Sequence, residues 1–259
     1  MKKNSSHLYY EVYGTKGPYI LLVHSILSSR AQWKANIKAL TTIGRPVIVE
    51  LYGHGRSPTP LEPDAYFPDS YCIEFERIRK KLNADSWFVC GSSLGAALSL
   101  RYSFKYSDKV IAQVFTNSRS ALASENLQES MEWFAKEVRK NGKKISELLP
   151  FNPANSKNLP DDIKTLLADD LKLVTVEGIV NTALYTGSDC SVRNMVQDNS
   201  VPTLLVAGIF EKIFLPELKY ARENMPLLEI LKLDGGHAVN ITNADQFNAG
   251  LLNFFSLYC

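Results

Sequence analysis

The stretch Trp87-Phe88-Val89-Cys90-Gly91-Ser92-Ser93-Leu94-Gly95-Ala96-Ala97-Leu98 constrains the chain more than any other. Trp87 to Cys90 is a continuous apolar run of strand length, while Leu94, Leu98 and Tyr102 recur at spacings of four, so a strand passes directly into a helix. The junction is G-x-S-x-G, the spacing that stands a serine on a sharp strand-to-helix turn with its hydroxyl exposed. Small residues at Gly91, Gly95, Ala96 and Ala97 are what a tight turn and a helix pressed onto its sheet require. A plainer reading stays open, in which Ser93 only caps the helix.

Further strands are predicted at Tyr9–Tyr13, Tyr19–His24, Pro46–Leu51, Val110–Phe115, Thr203–Ala207 and Leu228–Leu233. Several are unbroken apolar runs, the pattern of parallel strands covered on both faces. Helices are predicted at Arg30–Thr42, Ser70–Leu82, Ser93–Tyr106, Pro216–Asn224 and Ala244–Leu257, with Asn243 and Gln246 as an N-terminal capping pair. This alternation predicts an α/β fold with a doubly wound sheet, whose functional edge is the carboxyl ends of the strands.

The alternation stops between Asn117 and Ser200. Leu127, Met131, Phe134 and Val138 recur at helical spacing, as do Ile163, Leu166, Leu167, Leu171 and Val174, with polar breaks at Asn141-Gly142 and Phe151-Asn152-Pro153. A core of 1–117 and 201–259, carrying a helical cap at 118–200, follows. Trp133, Phe134, Phe151 and Tyr185 are candidate pocket aromatics, although ordinary core is the commoner use of such residues. The basic cluster Arg139-Lys140-Asn141-Gly142-Lys143-Lys144 reads first as a solvated helix end, and more weakly as a contact for an acidic partner such as an acyl carrier protein.

With 259 residues, 45% of them hydrophobic, the chain is long enough for one large domain and a sizeable core. A formal charge of +2 argues against nucleic acid or a membrane surface as partner. Met1 to His7 lacks the apolar core of a signal peptide, and no apolar run approaches the ~18 residues of a membrane span. Cys72, Cys90, Cys190 and Cys259 show no paired spacing, which argues against a metal site or disulfide framework and for a reducing cytoplasm. No cofactor is expected.

A serine hydroxyl is a poor nucleophile at neutral pH, so Ser93 needs a histidine within reach and a carboxylate to hold that imidazole. His7, His24 and His54 precede Ser93; His237 alone follows it, between Gly236 and Ala238 after the last predicted strand. Glu211, a short turn beyond the penultimate strand, is the carboxylate candidate, against the rivals Asp189, Asp198 and Asp234 and against a plain surface pairing with Lys212.

The chain resembles an α/β-hydrolase with a cap over almost its whole length. Leu21-Leu22-Val23-His24 with Trp33 resembles the family's oxyanion segment, and Glu50-Leu51-Tyr52-Gly53-His54-Gly55-Arg56-Ser57 its D-x-x-G-x-G-x-S turn. GSSLG resembles the nucleophile elbow, Val201 to Glu211 the acid loop, and Gly235-Gly236-His237 the histidine loop. The resemblance implies that Ser93 attacks an acyl carbon, His237 accepts its proton, Glu211 orients His237, and the backbone N–H groups of Leu94 and Ile26 hold the oxyanion.

Two positions depart from the family. Ser25 stands where glycine is usual, so it alters the loop or contacts substrate, and Glu211 stands where aspartate is usual. A serine at the elbow also excludes the alkyl-ester chemistry of relatives that carry aspartate there. The implied activity is hydrolysis of a small carboxylic ester or thioester. Carbon–carbon bond hydrolysis or acyl transfer is the alternative, and a ligand receptor that retains the triad is a third, non-enzymatic one.

Overall fold

The computed structural model describes residues 6–144 and 159–259. Seven strands form one sheet in the order β1-β3-β2-β4-β5-β6-β7: β1 Tyr10–Val12, β2 Tyr19–Val23, β3 Arg45–Val49, β4 Trp87–Gly91, β5 Val110–Thr116, β6 Thr203–Gly208 and β7 Leu228–Leu233. All pairings are parallel except β1 with β3. The predicted α/β architecture is therefore present, with an antiparallel edge strand shorter than the predicted Tyr9–Tyr13.

Continuous apolar runs become strands here because both faces of the sheet are covered. Leu21 and Val23 of β2, with Trp87 and Val89 of β4, join one core cluster; Ile20, Leu22, Phe88 and Cys90 join the other. Helices α1 (Lys34–Leu40), α2 (Pro68–Lys81) and α3 (Leu94–Lys105) alternate with the first strands. The predicted helix from Arg30 begins instead as a 3-10 turn, Arg30–Trp33, whose first turn is capped by the Ser29 hydroxyl accepting from Ala31 N–H.

Between β5 and β6 the described residues form helices and turns only. These are α4 (Arg119–Leu122), α5 (Gln128–Asn141), α6 (Asp161–Leu171) and α7 (Val176–Asn181), which runs on into a π-helical turn, Thr182–Gly187. Phe134, Val138, Ile179 and Ala183 build a small core of their own, and Leu27 from the core side enters it. Ala121, Leu122, Cys190, Val192 and Val196 pack instead with the main core, so both ends of the insertion are continuous with the body of the protein.

α5 stops at Gly142, whose φ of +65° suits glycine, and Arg139 and Lys140 lie in its last turn, as a solvated helix end would place them. Trp133 is 60% exposed and Phe134 buried. Tyr185 sets its ring against the edge of Phe67. Phe151 and the Phe151-Asn152-Pro153 break lie outside the described residues.

After β6 come α8 (Leu215–Asn224), α9 (Val239–Thr242) and α10 (Ala244–Ser256). Phe255 of α10 stacks on Phe88 with centroids 4.2 Å apart, fixing that helix to the sheet. The predicted Asn243 cap does not form: its side-chain oxygen accepts from the Thr242 hydroxyl at 2.8 Å, and its amide donates to the Asp234 carbonyl. His7, expected in a frayed start, reaches Glu74 at 2.9 Å. No helix among the described residues is long and apolar enough to cross a membrane.

Two glycines set how closely α3 approaches the sheet. A Cβ on Gly95 would lie 2.3 Å from the Val23 carbonyl oxygen, and one on Gly91 would lie 2.3 Å from the Gly95 carbonyl oxygen. Neither backbone atom can swing aside. Gly95→Ala is expected to lose about 3 kcal/mol or more of stability by urea unfolding, whereas Gly236→Ala, with open space around it, changes it by less than about 1 kcal/mol.

Candidate active site

Ser93 stands between β4 and α3 with φ +54° and ψ −118°, a backbone conformation that is costly for a residue with a Cβ. Its side chain makes no capping hydrogen bond, so it is not simply a helix cap. Ser118, just past β5, donates from its hydroxyl to the Ser93 carbonyl at 2.7 Å and caps α4 with the same oxygen. The strained turn is thus pinned from the neighbouring strand end.

The order β4-β5-β6-β7 lines up the strand ends that carry Ser93, Asn117 and Ser118, Glu211, and His237. His237 Nδ1 lies 2.9 and 3.0 Å from the two Glu211 carboxylate oxygens. A carboxylate only accepts, so Nδ1 carries the proton, and in the neutral imidazole Nε2 has the lone pair. None of Asp189, Asp198 and Asp234 bonds to His237, nor does Glu211 pair with Lys212 among the described residues.

Burial by itself would raise the Glu211 carboxyl pKa. The hydrogen bond from His237, the charge of that ring when it is protonated, the Asn117 amide and the Arg119 charge outweigh it and leave the group below its ordinary value. Glu211 is therefore a carboxylate at neutral pH. Asn117 escaped the sequence reading as a site residue: its amide donates to Glu211 at 2.7 Å and to the Gly208 carbonyl at 2.9 Å, while its oxygen accepts from Gly208 N–H. A polar residue directly after a buried strand was the available signal.

Ser25 is buried, and its contacts are internal. Its N–H donates to the Gln32 side chain at 2.8 Å, its hydroxyl accepts from the Gln32 amide at 3.0 Å, and the same amide reaches Ser92 Oγ at 2.8 Å. Thr116 also donates to Ser92 Oγ. Of the two readings of Ser25, an altered loop and a substrate contact, the structure shows the hydroxyl in a network that ties the β2 loop to the turn before α3. Gln32, between Ala31 and Trp33, gave no such signal in the sequence.

The loop spends its backbone donors selectively. Ser25 N–H goes to Gln32, and Leu27 N–H, at φ +57°, donates to His54 Nε2 at 3.2 Å. Ile26 N–H lies between them, and among the described residues neither it nor Leu94 N–H has an internal partner.

His24 and His54 are fully buried. His24 Nδ1 donates to the Ser25 carbonyl and Nε2 accepts from Leu51 N–H; His54 Nδ1 donates to the Tyr52 carbonyl. Burial holds both neutral, pushing His24 down to about 3, helped by His54 nearby, and His54 down to about 4. Glu50, also buried, accepts from Arg56 N–H at 2.6 Å and lies 3.5 and 3.7 Å from the Arg56 and Arg30 guanidinium groups. Burial raises its carboxyl pKa despite them.

The two buried histidines fix the sign of an acid effect. Below the ordinary imidazole value of 6.5 the unfolded chain binds protons that the folded chain refuses, so stability falls as pH drops from there toward 4. Each histidine contributes at most about 1.4 kcal/mol per pH unit. Urea midpoints measured from pH 7 downward are expected to fall below about pH 6, and less steeply in His54→Gln than in wild type.

The residues at 18–146 match a family model described as the alpha/beta hydrolase fold. An abhydrolase domain-containing protein of Schizosaccharomyces pombe is 24% identical, with 93% of each chain covered. Among solved structures, the enol-lactonase from Burkholderia xenovorans LB400 superposes with a TM-score of 0.81 at 19% identity, covering 96% of each chain. A thermophilic esterase from Thermogutta terrifontis gives 0.79 at 20% identity, covering 97% of this chain and 93% of that one. With the family match, the sheet order and the fold neighbours in agreement, the chain belongs to the α/β-hydrolase superfamily.

Proposed function

We propose that this protein is a serine hydrolase that cleaves a carboxylic ester or thioester through an acyl-enzyme intermediate. The observation that carries the reading is the Glu211–His237 pair, with Nε2 left free as a base, on the strand-end edge that also bears the strained Ser93. The names enol-lactonase and esterase, carried by two fold neighbours, support an ester bond as the target.

Ser93 Oγ attacks the acyl carbon as its proton passes to His237 Nε2. The carbonyl oxygen becomes an oxyanion, for which the unpartnered N–H groups of Ile26 and Leu94 are the donors. His237 returns the proton to the departing alcohol or thiol. Water then attacks the acyl-serine, giving its proton to the same nitrogen, which passes it on to Ser93 Oγ as the acid is released. Glu211 holds Nδ1–H throughout and offsets the imidazolium charge.

The segment 118–200 serves as a cap that selects the acyl group. Its attachments support a lid that stays seated: Ser29 donates to Asp170 of α6 at 2.7 Å, and Thr175 N–H donates to the Gly53 carbonyl. Free cysteines at Cys72, Cys90, Cys190 and Cys259 fit a reducing, cytoplasmic setting.

A fluorophosphonate probe is expected to add once to the wild type and not at all to Ser93→Ala, as read by intact mass. Turnover of p-nitrophenyl esters of graded chain length, and of thioesters, is expected to drop at least about a thousandfold in Ser93→Ala and His237→Ala. In Glu211→Gln the fall is about 10²–10⁴-fold, because the amide stabilises the wrong imidazole tautomer. An unlabelled wild type, or full turnover without Ser93, sinks the reading.

A further inference from the structure

We infer that Asn117 is a positioning residue for Glu211, acting through that carboxylate on His237. Its kinetic consequence rests on the serine-hydrolase reading above; its structural consequence does not.

Asn117 is fully buried directly after β5, between the strand that leads to Ser93 and the strand that leads to Glu211. Its side-chain oxygen accepts from Gly208 N–H at 3.1 Å and its amide donates to the Gly208 carbonyl at 2.9 Å, so the side chain is locked to both polar groups of one β6 residue. The same amide nitrogen donates to Glu211 Oε2 at 2.7 Å. An amide gripped on both its atoms by a strand end has no rotameric freedom, and it passes that rigidity to the carboxylate it touches.

Glutamate needs this more than aspartate would. Its extra methylene adds a rotatable bond between the backbone and the carboxyl group, and Glu211 follows Gly208 by a loop rather than standing on the strand. Both Glu211 oxygens lie within hydrogen-bonding distance of Nδ1, so His237 does not distinguish them. Asn117 does, by binding one, and thereby fixes the twist of the carboxylate about its last bond. Neighbouring Ser118 holds the Ser93 carbonyl, so a single β5 loop sets the nucleophile and the acid member in one frame.

Two variants separate this role from simple folding. Asn117→Leu keeps about the volume and removes every polar contact; Asn117→Asp keeps an acceptor for Gly208 N–H and loses the donor to Glu211. The first readout is the His237 Nδ1–H proton by NMR, identified by its loss in His237→Ala. It is expected as a low-field, slowly exchanging signal in the wild type and as a broadened or upfield signal in whichever of the two variants folds. An unchanged signal in a folded variant overturns the inference, whether or not the protein turns over esters.

The second readout is a kinetic cycle on the best ester substrate. Asn117→Leu, or Asn117→Asp if leucine does not fold, is expected to lower kcat about 10- to 100-fold with KM within about threefold. In a Glu211→Gln background the same substitution costs less than about twofold, because the group it positions is already gone. Equal losses in both backgrounds mean a purely structural role and overturn the inference. A wild type that neither labels at Ser93 nor hydrolyses esters overturns the proposed function instead, and the NMR result then decides the Asn117 role alone.

Discussion

Everything at the candidate site is referred to the backbone of Ser93. A non-glycine residue held at φ +54° costs on the order of 1–3 kcal/mol, and it persists only where its surroundings leave the chain no alternative. Here the surroundings are the close approach of α3 to the ends of β2 and β4, which leaves no room for a Cβ at Gly91 or Gly95, and the Ser118 hydroxyl on the Ser93 carbonyl. Beside Ser93, among the described residues, Leu94 N–H at the first position of α3 has no internal partner.

The same logic governs the β2 loop. A buried loop must satisfy its backbone polar groups, and here the partners are side chains: Gln32 for Ser25, and His54 for Leu27. Ile26 is the residue passed over. Ser25 in place of the family's glycine is accommodated because Gln32 and Ser92 supply partners for its hydroxyl, so a polar group is buried without being orphaned. His24 and His54 must stay neutral for this to work, since each Nε2 accepts a backbone N–H.

Much of this was legible beforehand. Unbroken apolar strands with helices between them announced a covered parallel sheet, because strands buried on both faces cannot alternate polar and apolar residues. That Ser93, Glu211 and His237 stand at one strand-end edge was legible because each closely follows an apolar strand. The rest failed for local reasons. Asn243 looked like a helix cap, but its side-chain oxygen accepts from the neighbouring Thr242 hydroxyl instead. The buried network around Ser25 was not legible because nothing in its neighbourhood of the chain shows that Gln32 folds back onto it.

By itself, then, the sequence determined the α/β class, the inserted helical stretch and the three residue types that a serine-based acyl chemistry needs, since periodicity and residue chemistry are properties of the chain read locally. Only the tertiary structure decided which donors are left unpaired, that Glu211 rather than Asp189, Asp198 or Asp234 meets His237, and that Asn117 stands behind that pair. Those outcomes depend on sheet order. The sheet sets β4, β5, β6 and β7 side by side and so joins residues as far apart as Asn117 and Glu211, 94 positions along the chain, a placement fixed by how the strands pack and not by any local spacing.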